Sequence, residues 1–356
     1  MPFWLAAAGM IYTDNVEEGL FRLQQKALLL VLPLLFLTIH VDLGRLARTM
    51  MSLFVLGVTI ACAVSVLASL YQWGQTGSSQ YFTGHGLARF LDLYPYVFAL
   101  LCLVALTVLA EAERGSIALY PWLGRKVRLG LGILLVGFLL LLAVQQVILI
   151  WVLLTLFYAW RVLPQKKWVG AIAVFLVVLL AMSVALVAPL REKVNDIVSG
   201  SDRNTIPLDQ EGPMKQEWNG IAVRKAIWTC AWDLIRENPV WGVGTGDGQD
   251  ALQQAYANRK FHLAALYNRY NAHNQYVQTL VCAGVIGLAI WLTSIGWLLW
   301  KFRHESLFLF TFAALLFSML TESMLETNKG NLIVAFVLSA LLLPVRFKVA
   351  SSRASG

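Results

Sequence analysis

The sequence predicts an all-α fold, a polytopic bundle of about ten membrane helices with one large helical loop. Of its 356 residues, 58% are hydrophobic and only 13% are charged, and the mean hydropathy is +0.66. A soluble domain has about 45–50% apolar and about 25% charged residues, so the composition indicates a membrane protein. The apolar residues also gather in runs, and these runs leave one long polar excursion in the second half of the chain.

The first apolar run, Pro2–Tyr12, is too short to cross a hydrocarbon core about 30 Å thick, which needs about 20 residues. It also lacks the basic start and the cleavage site of a signal peptide, so we expect that Met1 is not the natural start and that helices precede it. The other predicted spans are Ala27–Ile39, Met50–Trp73, Tyr94–Ala110, Leu129–Val144, Val147–Leu163, Trp168–Ala188, His273–Trp300, Ser306–Leu320 and Leu332–Val345.

The short loops between the runs predict the orientation, because Lys and Arg accumulate in short cytoplasmic loops. One set of loops holds fourteen such residues and the opposite set holds four. The fourteen are Arg45, Arg48, Arg114, Arg125, Lys126, Arg128, Arg161, Lys166, Lys167, Lys301, Arg303, Arg346, Lys348 and Arg353. The four are Arg22, Lys26, Arg89 and Lys329, in the predicted loops Thr13–Lys26, Gly74–Leu93 and Thr321–Asn331. The richer set predicts the cytoplasmic side, and both ends of the chain fall there.

Long loops translocate regardless of charge, so the excursion is predicted to be periplasmic. The expected organisation is an N-terminal transmembrane bundle over residues 1–189, a periplasmic loop with interfacial helices over 190–272, and C-terminal transmembrane helices over 273–356. Within the loop, 193–213 is polar and loop-like, Gly220–Glu237 is a predicted helix that Pro239 stops, and Asp250–Tyr267 is a second one. The density of indoles suits the lipid headgroup layer; they are Trp218, Trp228, Trp232 and Trp241.

Two residues of this region have the chemistry of a site. Arg224 carries a permanent charge that can bind phosphate oxygens through two parallel hydrogen bonds. Taken alone, an arginine here is more often a solvated residue on an interfacial helix or a contact to lipid headgroups. His273 is predicted at the outer end of a helix of about 28 residues. Its imidazole can accept a proton near neutral pH, whereas an isolated histidine is more often a hydrogen-bonded residue at a helix start.

Other site classes are disfavoured by the sequence. The run Gly242-Val243-Gly244-Thr245-Gly246 lacks the strand and the Lys-Ser/Thr pair of a phosphate loop, so a turn is predicted there. No Asp-x-Asp pair and no Cys/His spacing typical of a metal site or a disulfide framework is present, which favours metal-independent chemistry without a cofactor. The net charge of +8 does not indicate nucleic acid, because the cations follow the membrane topology.

One motif is specific. Arg224, Trp228, Ile235, Asn238-Pro239 and Gly242-Val243-Gly244 are followed by Ala272-His273-Asn274-Gln275-Tyr276, Leu280, Gly284 and Gly287-Leu288. This pattern resembles the O-antigen ligase and polymerase family, bacterial inner-membrane proteins with many helices and one large periplasmic loop. The resemblance implies transfer of a polysaccharide from undecaprenyl pyrophosphate to a sugar of lipid A-core in a Gram-negative bacterium. It also implies that Arg224 holds the pyrophosphate and that His273 acts on the acceptor hydroxyl or orients the site.

Ligases of this type often carry a Ser-Arg pair at the outer tip between two mid-chain helices, where this chain has Gln145-Gln146. We therefore expect another arginine to complete the anion site, first Arg89. Arg203, Lys215, Lys225 and Arg269 are alternatives. The expected substrate-binding residues are Arg89, Gln145, Gln146, Lys225, Asn274 and Tyr276. For Glu322 and Glu326, solvated loop carboxylates are favoured over a role in orienting His273.

The sequence thus predicts a lipid-linked-oligosaccharide-dependent glycosyltransferase, most simply an O-antigen ligase, with direct displacement and inversion at the anomeric carbon. Rival functions with the same donor are an O-antigen polymerase and a protein O-oligosaccharyltransferase with a pilin-like acceptor. A rival of another class is a transporter. Scarce ionisable residues within the predicted spans disfavour it, because transport paths usually need such residues there.

Overall fold

A computed structural model describes residues 1–38, 42–187, 190–191, 220–261 and 263–340. Over these ranges the regular structure is helical, without strands, which confirms the predicted all-α class. Some predictions fall outside the described residues: the polar stretch 193–213, Trp218, and the cations Arg203, Lys215, Arg346, Lys348 and Arg353.

Twelve α-helices with defined bounds occur in the described ranges. They are α1 Pro2–Gly9, α2 Val16–Thr38, α3 Leu43–Thr76, α4 Gly84–Ala88, α5 Pro95–Glu113, α6 Arg125–Leu142, α7 Gln145–Val162, α8 Lys167–Leu186, α9 Gly220–Glu237, α10 Gly248–Asn258, α11 Gln275–Lys301 and α12 Ser306–Ser318. Short 3-10 turns lie at Met10–Tyr12, Ser79–Phe82, Arg89–Leu91 and Met324–Glu326, a π-helical turn lies at Leu263–Asn268, and residues 328–340 are helical up to the end of the described part.

Five of the described helices are long and apolar enough to cross a membrane. They are Val16–Phe36, Gly44–Thr76, Pro95–Glu113, Lys167–Leu186 and Gln275–Lys301. Three shorter apolar helices accompany them, at Pro2–Tyr12, Gln145–Arg161 and Ser306–Ser318. The chain is therefore a membrane protein by composition and by helix length, and the count of about ten spans stays a prediction.

The chain forms two compact units, and the first comprises the described parts of Met1–Ile39, Gly200–Arg303 and Met319–Ser339. Its core lies where α9 and α10 pack on the start of α11. Five positions of α9 recur at helical spacing and are at most 6% exposed: Ala226, Ile227, Cys230, Ala231 and Ile235. They pack with Leu252 and Tyr256 of α10, Phe261, Ala264 and Val281. The predicted helix Gly220–Glu237 is confirmed, whereas the predicted helix Asp250–Tyr267 is wrong in extent, because the α-helix ends at Asn258 and a separate turn follows.

The predicted outer loop Thr13–Lys26 is also wrong in extent, because α2 begins at Val16. Glu17 and Glu18 lie in its first turn, where carboxylates suit the positive end of the helix dipole. Arg22 pairs with Glu18 one turn back at 2.7 Å, so this charge stabilises the helix rather than marking a loop.

The glycine-rich segment forms the predicted turn, and it is hydrogen-bonded to α11. That helix has a non-helical residue, Gly284, at φ +62. The break frees backbone groups on both sides of it, and the segment 239–244 satisfies four of them. The amides of Val285 and Ile286 donate to the carbonyls of Pro239 and Val240, and the carbonyls of Val281 and Cys282 accept from the amides of Val243 and Gly244. A Cβ on Gly242 would lie 2.6 Å from the Val281 carbonyl oxygen, so this backbone contact requires glycine.

The second unit comprises the described parts of His40–Ser199, His304–Ser318 and Ala340–Gly356. Its most buried helix is α5, where Phe98 and Leu100 are fully buried. The turn between α6 and α7 contains Ala143 in the left-handed region, φ +52. Gln145 and Gln146 were predicted as this turn, but they begin α7 instead, because the chain reverses one step earlier, at Ala143 and Val144.

Candidate functional site

Helix α9 presents Arg224 at one edge of its buried face, where the side chain is partly exposed. Arg224 and Trp228 are four residues apart and share that side. The Trp228 indole N–H donates to the carbonyl of Ala272 at 2.9 Å, which fixes α9 beside the residue that precedes His273. The helix spacing thus brings Arg224 to the chain segment that carries the histidine, although the two are 49 positions apart in sequence.

His273 lies before α11 rather than in its first turn, which corrects the sequence prediction. The N-cap of α11 is Asn274, whose side-chain oxygen accepts from the amides of Tyr276 and Val277 at 2.9 and 3.1 Å. His273 has φ +43, a strained left-handed conformation for this residue type. Its amide donates to the Asn271 side chain at 3.0 Å, and its ring packs edge-on against Tyr270. Such strain at a polar position is typical of functional sites.

Glu322 joins the two predicted residues. One carboxylate oxygen accepts from Arg224 Nη2 at 3.0 Å, and the other lies 3.3 Å from His273 Nδ1. Arg224 Nε donates to the carbonyl of Thr321 at 3.3 Å, so the guanidinium is held by the same turn. The favoured prediction of a solvated loop carboxylate is therefore wrong for Glu322. Its position 49 residues after the histidine gave no sequence signal of this contact.

The three side chains remain partly open to solvent. Their exposed fractions are 26% for Arg224, 27% for His273 and 15% for Glu322. A guanidinium has five N–H donors, and three bonds engage one donor each, to Thr321, Glu322 and the Gly220 carbonyl. Among the described residues no partner occupies the other two donors, which suit an incoming anion. With Nδ1 facing the carboxylate, Nε2 is the ring nitrogen left to take a proton.

The turn that carries Glu322 is fastened to α11 and α2. Asn274 N donates to Ser323 Oγ at 3.1 Å, Gln275 N donates to the Met319 carbonyl at 2.8 Å, and the Gln275 side-chain oxygen accepts from Leu325 N at 2.7 Å. These bonds restrict the movement of the chain before and after Glu322, so its carboxylate is held in place before a substrate binds.

Glu326 lies on the same turn, and the prediction of a solvated loop carboxylate is wrong for it as well. Lys26 Nζ lies 3.0 Å from both of its oxygens, and the Gln275 side chain donates to it at 3.3 Å. Burial alone would raise the pKa of Glu326, but the charges of Lys26 and Arg22 and these hydrogen bonds outweigh burial and lower it. This ion pair closes the turn onto α2, which gives the buried Lys26 a structural partner.

Three more predicted site residues lie near this turn or on α9. Lys225 is exposed on α9. Asn274 is 9% exposed, and its side-chain oxygen is used by the helix cap described above. Tyr276 is half-buried, and its ring lies against Trp291 with centroids 5.3 Å apart. Of the alternative cations, Arg269 is 67% exposed and 3.4 Å from Asp250.

The remaining predicted residues belong to the second unit. Arg89 is exposed in the 3-10 turn Arg89–Leu91, and its guanidinium lies over the rings of Tyr81 and Phe90 at 4.8 and 5.2 Å. Gln145 and Gln146 are half-buried in the first turn of α7. Their part in an anion site stays a prediction.

Fold and site together define a polytopic helical membrane protein. In it a guanidinium and an imidazole contact one carboxylate beside the N-terminus of a candidate membrane helix. Residues 129–292 match the family model described as O-antigen ligase. The match confirms the resemblance to that family over this part of the chain. The matched range contains Arg224 and His273, whereas Glu322 lies after its end. No curated protein matches the chain. The family is one of glycosyltransferase-like enzymes with lipid-linked polysaccharide substrates.

Proposed function

We propose that this protein is an O-antigen ligase that moves a polysaccharide from undecaprenyl pyrophosphate to lipid A-core at the periplasmic face of the inner membrane. The single observation that carries the proposal is the contact of Arg224 and His273 with the same carboxylate, Glu322. An anion-binding group and a proton acceptor thereby lie side by side, as transfer from a diphosphate to a hydroxyl requires.

Arg224 binds the pyrophosphate of the donor. Its two remaining N–H donors suit the oxygens of a phosphate, and in a partly water-excluded site a charged hydrogen bond contributes about 1.5–3 kcal/mol. The contribution matters most as the sugar–phosphate bond breaks, because negative charge then accumulates on the leaving oxygen.

His273 takes the proton of the acceptor hydroxyl. The hydroxyl oxygen forms a bond with the anomeric carbon, the bond from that carbon to the pyrophosphate oxygen breaks, and its electron pair leaves with undecaprenyl pyrophosphate. The hydroxyl proton passes to Nε2 of His273. Glu322 acts as a positioning residue, since its contact with Nδ1 fixes the tautomer and stabilises the imidazolium that forms.

Pyrophosphate is a good leaving group, so charge stabilisation and positioning are the main requirements, and we propose a metal-independent reaction. Attack from the face opposite the leaving group inverts the anomeric carbon. In this proposal Arg89, Gln145, Gln146, Lys225, Asn274 and Tyr276 contact the pyrophosphate or the glycans, with Arg89 as the second cation. Both chain ends are cytoplasmic, the 190–272 region is periplasmic, and transmembrane helices occupy residues 1–189 and 273–356.

The test is an acceptor assay with the purified protein and an undecaprenyl-pyrophosphate glycan. Lipid A-core, a second lipid-linked glycan and a pilin peptide are offered separately, and the product is followed by gel and mass spectrometry. We expect lipid A-core to be consumed, equally well with and without a chelator. Consumption of the second glycan or the peptide instead would identify a polymerase or a protein O-oligosaccharyltransferase. Absence of product with all three would favour the transporter.

A further inference from the structure

A groove runs along α9 beside the candidate site, with a volume of about 530 Å³. It lies between α9 and the first turns of α11, within the first unit. Its apolar lining comes from Ile235 on α9 and from Val277 and Leu280 on α11. Because α11 is a candidate membrane span, this lining continues the apolar surface of a bilayer-crossing helix.

The walls of the groove are indoles and cations. Trp228 and Trp232 line it and are 38% and 50% exposed. Lys225, Arg236 and Arg259 contribute three positive charges against one carboxylate, Asp233. The Arg236 guanidinium lies over the Trp232 ring at 5.7 Å. Exposed indoles next to Lys and Arg are typical of the membrane–water interface, where each group meets both of its environments.

The ion pair between Asp233 and Arg259 determines the net charge of the groove that is left for a ligand. Arg259 Nε and Nη2 donate to the two carboxylate oxygens of Asp233 at 2.6 and 2.9 Å, a bidentate pair. This pair neutralises Asp233, so Lys225 and Arg236 dominate the electrostatics of the groove. A ligand that fits it has an apolar part for Val277 and Leu280 and an anionic part for the cations. A neutral saccharide has neither an acyl chain nor a negative charge, so it does not match this lining.

From this complementarity we propose that the groove binds an anionic phospholipid of the surrounding bilayer, with its phosphate at Arg236 and its acyl chains along Val277 and Leu280. The groove is distinct from the cluster of Arg224, Glu322 and His273, and it shares Lys225 with the substrate contacts proposed above. The groove adjoins that cluster through Trp228, which lines the groove and whose indole N–H donates to the Ala272 carbonyl. A bound lipid therefore stabilises the segment that leads into His273, and the bilayer composition influences the site.

The test is native mass spectrometry of the purified full chain in a non-ionic detergent, titrated with phosphatidylglycerol or with phosphatidylcholine of the same acyl chains. We expect the protein to bind phosphatidylglycerol more tightly. Arg236→Gln should weaken that binding about fivefold, since a cation near an anionic lipid surface contributes about that factor, and Arg236→Glu should weaken it further. Trp232→Ala tests the indole. Lys260→Glu, at an exposed cation in the turn after α10 and outside the groove lining, is the control and should bind as the wild type does.

Thermal unfolding in the same detergent separates loss of binding from loss of folding, and the exposed position of Arg236 allows both substitutions to fold. Equal affinity for the two lipids, or equal weakening in Arg236→Gln and Lys260→Glu, would overturn the proposal. So would binding of a lipid-free oligosaccharide that depends on Trp232 and competes with phosphatidylglycerol, because the groove would then be a sugar site. None of these outcomes depends on the ligase activity.

Discussion

Nδ1 of His273 lies 3.3 Å from the Glu322 carboxylate, the same carboxylate that binds Arg224 at 3.0 Å. The carboxylate comes from a turn that three hydrogen bonds, one of them between backbone groups, fasten to Asn274 and Gln275. The cation and the imidazole therefore do not depend on a substrate to bring them together. Their contact is part of the folded chain, and each member can be tested by itself.

Replacing His273 should abolish the proton acceptor without loss of the fold. His273→Asn is the suitable change, because asparagine tolerates the left-handed backbone found there. We expect the transfer rate to fall by about 10²–10⁴. The measurement is single-turnover product formation with lipid A-core. His304→Ala, at an exposed histidine of the second unit, is the control. Wild-type rates in His273→Asn would remove the imidazole from the mechanism.

Replacing Arg224 should weaken the binding of the donor. We expect Arg224→Ala to lose roughly 10- to 150-fold in affinity for the lipid pyrophosphate, the equivalent of about 1.5–3 kcal/mol. Arg224→Lys should recover only part of this loss, because an ammonium cannot make the bidentate contact. Binding of fluorescent donor in detergent measures both, with Lys260→Ala as control. Equal affinities in wild type, Ala and Lys variants would contradict the assignment.

Glu322 is expected to influence the rate more than the donor affinity. Glu322→Gln keeps the size of the side chain but removes the charge that stabilises an imidazolium, so kcat should fall about ten- to a hundredfold, with KM for the donor nearly unchanged. Glu322→Asp should recover part of the rate. A carboxylate that merely competes with the donor for Arg224 would give the opposite pattern, tighter donor binding and unchanged kcat. Glu237→Gln, exposed at the end of α9, is the control.

Gly242 should be required for stability. Its φ is +71, and a Cβ there would meet the backbone of α11 at Val281 to Ala283. We expect Gly242→Ala to destabilise the protein by roughly 1–3 kcal/mol or more, which lowers Tm in detergent. Gly296→Ala in α11 has open space around it and helical backbone, so it should leave Tm unchanged or slightly higher. Equal melting of both variants would show that the close approach is not needed.

Asp247 should make stability depend on pH. Burial acts to raise its pKa, but the amides of Asn15 and Asp14 and the Thr13 hydroxyl donate to the carboxylate, and the pKa is lowered overall. A lowered pKa in the folded state contributes stability above the unfolded pKa, near 3.9, and that contribution is lost as pH falls through the folded value. The Tm difference between wild type and Asp247→Asn should therefore shrink below about pH 4. A constant difference would refute this, and Asp250→Asn is the control.

Sequence reasoning predicted the helices well where apolar runs are long, because span length follows from bilayer thickness. It also found Arg224 and His273, since the motif contains both. It missed Glu322 and Glu326, because a carboxylate in a polar loop looks the same in sequence whether it is solvated or paired. It misplaced the start of α2 for a related reason. Arg22 and Lys26 read as loop charges, and only the fold supplies Glu18 and Glu326 as their partners.

The break at Gly284 divides α11 into two parts of different length. From Val285 to Lys301 a continuous helix rises about 25 Å, close to the hydrocarbon thickness of about 30 Å. Residues 239–244 are hydrogen-bonded to the helix on both sides of the break, so the turns from Tyr276 to Ala283 are held in a fixed place against that segment. In the proposed function this fixed segment holds His273 at one end of the spanning helix, so a lipid-linked substrate meets an imidazole whose position does not change when the helix tilts.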